Sequence, residues 1–208
     1  MQYTNISITK QQIRAHYRKK RNSISFESKE LLDIAIRANI LELDAVRQAK
    51  TVLMFYPIKF EPDIRELVKS LRDLGKKVAF PISNDNDCTL TFRYVDSIRD
   101  MVSGTYNIPE PPQNAPIVED FARSVCLVPA LVFDKYGYRL GYGKGYYDRF
   151  LKDFLGISIG IAYSDFITES LPSEDTDIAV DMIITERGNV IPYEAKFKKC
   201  QEYISQGK

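Results

Sequence analysis

Residues 51–80 read TVLMFYPIKF EPDIRELVKS LRDLGKKVAF. Thr51–Tyr56 is a short, almost wholly apolar run halted by Pro57, which predicts a buried strand. Pro62 stands where a helix favours its first residue. Ile64, Leu67, Val68, Leu71 and Leu74 follow at helical spacing, and Gly75 makes a good C-terminal stop. Lys77–Phe80 is the next strand. Strand, helix and strand in succession, with nearly continuous apolar strands, predict an α/β sheet covered by helices on both faces. Functional loops are then expected at the carboxyl ends of the strands.

The pattern continues outward in both directions. Upstream, a helix opens near Thr9, a candidate N-cap, and runs to about Arg21, carrying Lys10, Arg14, Arg18, Lys19, Lys20 and Arg21. A second helix covers roughly 28–43, with Leu31, Ile34, Ala35, Ala38 and Leu41 on one apolar stripe. Downstream, Leu90, Phe92 and Tyr94 alternate, which predicts a strand over 89–95. The stretch 104–118 holds Pro109, Pro111, Pro112 and Pro116 and is expected to be irregular. It is not Gly/Ser-rich, so it reads as a loop folded onto the body rather than a linker. Val125–Phe133 is a strand carrying Pro129, hence an edge or bulged strand. A helix begins near Tyr146, and 157–162 and 180–185 are further strands. No internal repeat appears.

The chain has 208 residues, 44% hydrophobic and 27% charged. That is ordinary globular composition, expected to fold as one domain over 1–208. Lys and Arg number 29 against 28 Asp and Glu. So small an excess speaks against a non-specific nucleic-acid binder. No apolar run approaches the length that spans a bilayer. Cys88, Cys126 and Cys200 are scattered, and His16 is the single histidine. Neither a disulfide framework, a zinc site nor a histidine-based triad is therefore expected. The N-terminus lacks an apolar signal core, so a reduced, cytoplasmic protein is expected.

The chemistry concentrates in Arg139-Leu140-Gly141-Tyr142-Gly143-Lys144-Gly145-Tyr146-Tyr147-Asp148-Arg149. Alternating glycines between a strand and a helix let backbone N–H groups turn inward toward an anion. A helix N-terminus follows, and Lys144 and Arg139 add full charges. The simplest reading is a phosphate cradle; the alternative is a tight strand-to-helix turn. The loop is neither a Walker A sequence, since Gly145 follows Lys144, nor a dinucleotide fingerprint, since Tyr146 replaces its third glycine.

The longer string, Leu127-Val128-Pro129-Ala130-Leu131-Val132-Phe133-Asp134 followed by Gly137 and Arg139 through Arg149, resembles the 5-formyltetrahydrofolate cyclo-ligase family, also called 5,10-methenyltetrahydrofolate synthetase. Other pieces fall in the family's order. Lys10-Gln11-Gln12-Ile13-Arg14 resembles its N-terminal element, with Arg21 after it. Glu61 follows the first strand as the family's substrate glutamate does. Tyr106-Asn107-Ile108-Pro109-Glu110-Pro111 resembles its aromatic-x-Ile-Pro-x-Pro loop, and Pro172, Asp177 and Val180-Asp181 its late element. The resemblance spans about 10–190. Ala130, in place of a more usual glycine, and Tyr56 are departures that bear on the pterin pocket.

The resemblance implies a three-layer sandwich (NagB/RpiA/CoA transferase-like) whose mostly parallel sheet has helices on both faces. It implies ATP- and Mg2+-dependent closure of 5-formyltetrahydrofolate to 5,10-methenyltetrahydrofolate through a phosphorylated formyl oxygen. It assigns nucleotide binding to Lys10, Gln11, Gln12, Ile13 and Arg14, and to Arg139, Leu140, Gly141, Tyr142, Gly143, Lys144, Gly145, Tyr146 and Tyr147. Arg14, Lys144 and Arg139 are the expected catalytic charges. Folate contacts fall to Arg14, Tyr56, Glu61, Tyr106 and the Tyr142–Tyr146 loop, and magnesium to Asp148 and Asp177. Small-molecule substrates, no nucleic acid or membrane partner, and a monomer are expected.

Taken singly, these residues have plainer readings. The basic helix could be a solvated face, Asp148 and Glu61 first-turn helix acids, and Asp177 an ordinary loop acid. Two other functions compete: an isomerase or CoA transferase on a similar scaffold, and a nucleic-acid binder using the basic helix and thirteen tyrosines. The first would need an acid–base pair or nucleophilic glutamate in the glycine-rich site, and none is evident there.

Overall fold

The computed structural model describes residues 3–190; the tail after Pro192 and Cys200 lie outside them. Helices α1 (Tyr3–Asn22), α2 (Phe26–Glu42) and α3 (Asp44–Gln48) precede β1 (Thr51–Leu53), α4 (Leu67–Asp73), β2 (Lys77–Asn84) and β3 (Thr89–Tyr94). Then come β4 (Val102–Ser103), β5 (Pro109–Glu110), β6 (Ser124–Pro129), β7 (Val132–Asp134), β8 (Arg139–Leu140) and α5 (Tyr146–Lys152). The last described elements are β9 (Ile157–Ile161), β10 (Ile167–Thr168), β11 (Met182–Thr185) and β12 (Gly188–Val190).

Seven strands form the main sheet in the order β12-β11-β9-β6-β1-β2-β3. The five inner strands run parallel, and β3 and β12 join the edges antiparallel. Inner positions such as Val52, Leu53, Phe80, Val125, Leu127, Ile159, Ile161 and Ile183 are buried, as both faces of a covered parallel sheet require. Counted along the chain, the parallel strands stand in the order 2-1-3-4-5, so sheet growth reverses between β1 and β6. Open α/β sheets bind ligands outside the carboxyl ends of strands at such a reversal.

A second sheet, β10-β7-β8, sits beyond the end of β6. A Cβ on Gly160 would lie 2.6 Å from the Phe133 ring, so the absence of a side chain on β9 lets β7 pack close. The 104–118 segment does fold onto the body. Val118 N donates to Phe92 O at 2.9 Å, and Tyr94 N to Pro116 O at 2.9 Å.

Five expectations are corrected. Helix α1 starts at Tyr3, so Thr9 lies within it and is not its N-cap. The stripe expected to face the core on α2 is largely outside: Leu31 is 71% and Ile34 50% exposed, while Asp33, Ile36 and Ile40 are buried. Asp33 is tolerated inside because it accepts from Lys29 Nζ at 2.6 Å, Tyr163 Oη at 2.6 Å and Asp63 N at 3.0 Å. Pro62 does not open a helix, since α4 begins at Leu67 and 57–66 is a loop. Residues 125–133 form two strands, not one, because the chain leaves the sheet after Pro129. Strand β6 is interior rather than at an edge; its pairing with β1 ends at Cys126, so Pro129 faces only β9 and interrupts no ladder on the other side.

Candidate active site

The hairpin β7–β8 delivers the glycine loop. Asp134 is buried and accepts from the backbone N–H of Tyr136, Tyr138 and Leu171, which folds the turn at 135–138. Past Leu140 the chain runs through Gly141–Gly145 into α5. Gly143 at φ 104° and Gly145 at φ 70° occupy left-handed conformations that a side chain would strain.

Helix α1 lies over this loop. Lys10, Arg14, Tyr17 and Arg21 follow helical spacing and form its inner face. Arg14 Nε donates to Gly141 O at 2.9 Å, and a Cβ on Gly143 would touch its guanidinium at 3.5 Å. Burial, then the neighbouring Arg18 charge, lower the Arg14 pKa. Gln11 and Gln12 are exposed, and Ile13 is half-buried.

Each of the two carboxylates expected to hold metal sits beside a cation. Lys10 Nζ donates to Asp177 Oδ2 at 2.8 Å and pairs with Glu174 at 3.1 Å. Arg139 Nη2 donates to Asp148 Oδ1 at 2.8 Å, and its Nη1 to Ile178 O at 2.5 Å. Ile178 N donates to the same Asp148 oxygen at 3.2 Å, linking the two acids through one residue. Burial works against the Lys10 charge, but its bonds to Asp177 and Glu174 prevail and raise its pKa. Burial lowers that of Arg139 despite Asp148. Tyr147 is half-buried, close to Arg139 and Cys126.

Glu61 is 2% exposed. Its Oε2 accepts from Ile58 N at 3.0 Å, and it pairs with the Tyr142 hydroxyl. Burial pushes its carboxyl up to about 7, against the pull of the Ile58 N–H, the Arg21 charge and Tyr142. Tyr142 carries Arg18 over its ring at 5.8 Å and Lys59 at 5.9 Å. Tyr56 accepts from Arg65 Nη1 at 3.2 Å at the rim. Tyr106, at φ 58°, donates from its hydroxyl to Asp85 Oδ1 at 2.7 Å, and Tyr146 donates to the same oxygen. Lys144 is exposed and bonds Tyr106, which raises its pKa.

Thus Lys10 with Asp177, Arg139 with Asp148, and Arg14 with the glycine loop form one set of contacts, and Glu61 with Tyr142 another. Tyr106, Lys144 and Tyr146 meet around Asp85. Tyr56 pairs with Arg65. No sequence motif marks Asp85, Lys59 or the inward turn of Arg21. The tip Asn84-Asp85-Asn86-Asp87 reads only as a polar turn, and its pairing with Tyr146 spans a separation no local pattern encodes.

An open sheet with a glycine loop and converging basic side chains at its reversal point defines an α/β enzyme with an anion-binding site. The model of the 5-formyltetrahydrofolate cyclo-ligase family matches residues 6–186, and the chain belongs to that family. It is 30% identical to the 5-formyltetrahydrofolate cyclo-ligase of Haemophilus influenzae, over 81% of this chain and 93% of that one. With that of Escherichia coli K12 the identity is 28%, over 81% and 95%. The solved 5,10-methenyltetrahydrofolate synthetase of Aquifex aeolicus superposes with a TM-score of 0.79 at 31% identity, covering 90% of this chain and 94% of that one. That of Mycoplasma pneumoniae gives 0.69 at 26% identity, covering 85% and 98%. The activity that goes with this membership is closure of 5-formyltetrahydrofolate to 5,10-methenyltetrahydrofolate. Among the described residues, no helix is long and apolar enough to cross a membrane.

Proposed function

We propose that the cyclisation is driven by ATP with magnesium, on one domain over 1–208, in a cytoplasmic monomer. The observation that carries this reading is Arg14, which bonds Gly141 O and lies against Gly143, so that the basic helix overhangs the glycine loop. Lys10, Arg14, Arg139 and Lys144, with the loop's backbone, bind the phosphates. Glu61 accepts N–H bonds from the pterin ring. The formyl oxygen attacks the γ-phosphorus and ADP leaves, giving an imidate phosphate. N10 then attacks the former formyl carbon, phosphate departs with that oxygen, and the N10 proton is released. Phosphoryl transfer chiefly requires positioning and charge neutralisation, so a site without histidine suffices.

Carboxylates are hard oxygen donors of the kind magnesium takes with phosphate oxygens and water, and Ile178 N–H on Asp148 ties that acid to the segment that carries Asp177. Asp148 and Asp177 fit that role and would hold the ion. Among the described residues no cage of three or more acidic, His or Cys groups is present, which leaves the other ligands to nucleotide and water. Bound there, magnesium would neutralise phosphate charge. The test is incubation with 5-formyltetrahydrofolate labelled with 18O in the formyl group, omitting ATP and magnesium in turn. Methenyl absorbance should require both, and the label should appear in the released phosphate. Unlabelled phosphate, or turnover without ATP, would overturn the reading.

A further inference from the structure

Arg21 ends the inner face of α1 and is 3% exposed. Its Nη2 donates to Ala130 O and, at 3.3 Å, to Leu131 O. Those carbonyls form the turn between β6 and β7, beside the reversal point of the sheet. Its Nη1 faces Glu61 Oε1 at 3.9 Å, beyond hydrogen-bond reach. Among the described residues, Nε and Nη1 have no hydrogen-bond partner. A guanidinium does not shed its charge, and free N–H groups on a buried cation are costly. Such an arrangement is intelligible where the charge serves a neighbour.

The geometry points to Arg21 as a positioning residue for folate recognition, bracing the β6–β7 turn and holding Glu61 as a carboxylate aimed at the pterin N–H groups. This rests on the folate role given to Glu61 above. A carboxylate accepts at both oxygens, whereas a carboxylic acid uses one as a donor, so only the ionised form offers a proton-free oxygen to each of two N–H groups. Burial opposes ionisation most strongly. The groups facing Glu61 are Arg21 on α1, Lys29 on α2, Tyr142 on the glycine loop, Tyr147 on α5 and the Ile58 N–H. Arg21 is the cation that also bonds the turn. Lysine is a poor substitute, because one compact ammonium cannot hold two carbonyls and present a flat N–H edge to the carboxylate.

The experiment measures kcat and KM for folate and ATP against pH in Arg21→Lys and Arg21→Gln, each with Glu61 intact and with Glu61→Gln. With Glu61 intact, Arg21→Gln should lower folate kcat/KM about tenfold at pH 7, a size common for contacting groups. The acid limb of that profile, which reports the free enzyme, should move to higher pH, while ATP KM stays within about twofold. Arg21→Lys should fall between, and it carries the test if circular dichroism shows Arg21→Gln to be unfolded. In the Glu61→Gln background the same changes should have little effect on folate kcat/KM. An unmoved acid limb, or equal folate losses in both backgrounds, would mean that Arg21 only braces the turn. Wild-type folate kcat/KM in Glu61→Gln alone would instead remove the Glu61 reading, and this inference with it.

Discussion

At the scale of single residues, Arg14 carries the sharpest expectation. Its guanidinium touches the loop proposed to cradle the moving phosphoryl group, whereas Lys19, on the same helix, is exposed. A charge that matters most when charge is moving acts on kcat. Arg14→Ala should therefore cut kcat at saturating ATP and folate by about 100-fold or more, with Lys19→Ala nearly silent. Equal small effects would return α1 to a solvated face. The paired acids make a second case. Asp148→Asn and Asp177→Asn each remove a negative oxygen while keeping size, and each should raise the magnesium needed for half activity. A titration matching the wild type would exclude that residue as a ligand. Most of these residues were legible because the motif string fixes them in order. Arg21 was less so: within Arg18-Lys19-Lys20-Arg21, sequence does not reveal which basic side chain turns inward, and only the docked helix selects it.

Among the elements, close approach between the two sheets decides where the glycine loop sits. Gly160 on β9 lies against the ring of Phe133 on β7, which is fully buried and has nowhere to swing. Gly160→Ala should cost about 1–3 kcal/mol, the usual range for overpacking. It should also push β7 and its hairpin outward, raising KM for both ligands. Thermal melts and kinetics check this, and Phe133→Leu should restore part of the stability in the Gly160→Ala background. No rescue would mean the strain is relieved elsewhere. Strand existence was readable from apolar runs, but helix faces were not. On α2 the stripe at 31, 34, 35 and 38 obeys helical spacing as well as the buried row at 33, 36 and 40. The latter wins because Asp33, beside Lys29 one turn back on its own helix, finds Tyr163 and the Asp63 N–H, partners supplied by distant segments. Local periodicity cannot anticipate a buried acid satisfied that way.

For the whole molecule, the proposed site sets a tension between stability and binding. Glu61 is buried by α1, the 57–66 loop and Tyr142, so its carboxyl rises from the ordinary 4.5 to about 7 in the folded protein. A raised pKa means the folded state holds the proton more tightly than the unfolded chain. Its contribution to stability is thus fully present below about pH 4.5 and lost as pH rises through about 7. The loss amounts to about 3 kcal/mol at most, from the shift at ~1.4 kcal/mol per unit. Glu61→Gln removes the ionisation while keeping the shape. Its melting midpoint should exceed the wild type's by several degrees at pH 8, with the gain shrinking toward pH 5, where both side chains are neutral. Folate should reverse the order. Its N–H donors give the wild-type carboxylate the partners that burial denies it, so saturating 5-formyltetrahydrofolate should raise the wild-type midpoint more than the variant's at pH 8. Parallel melting curves across pH, or equal folate-induced shifts in the two proteins, would show that Glu61 is ordinary buried scaffolding rather than a charge held ready for the ring.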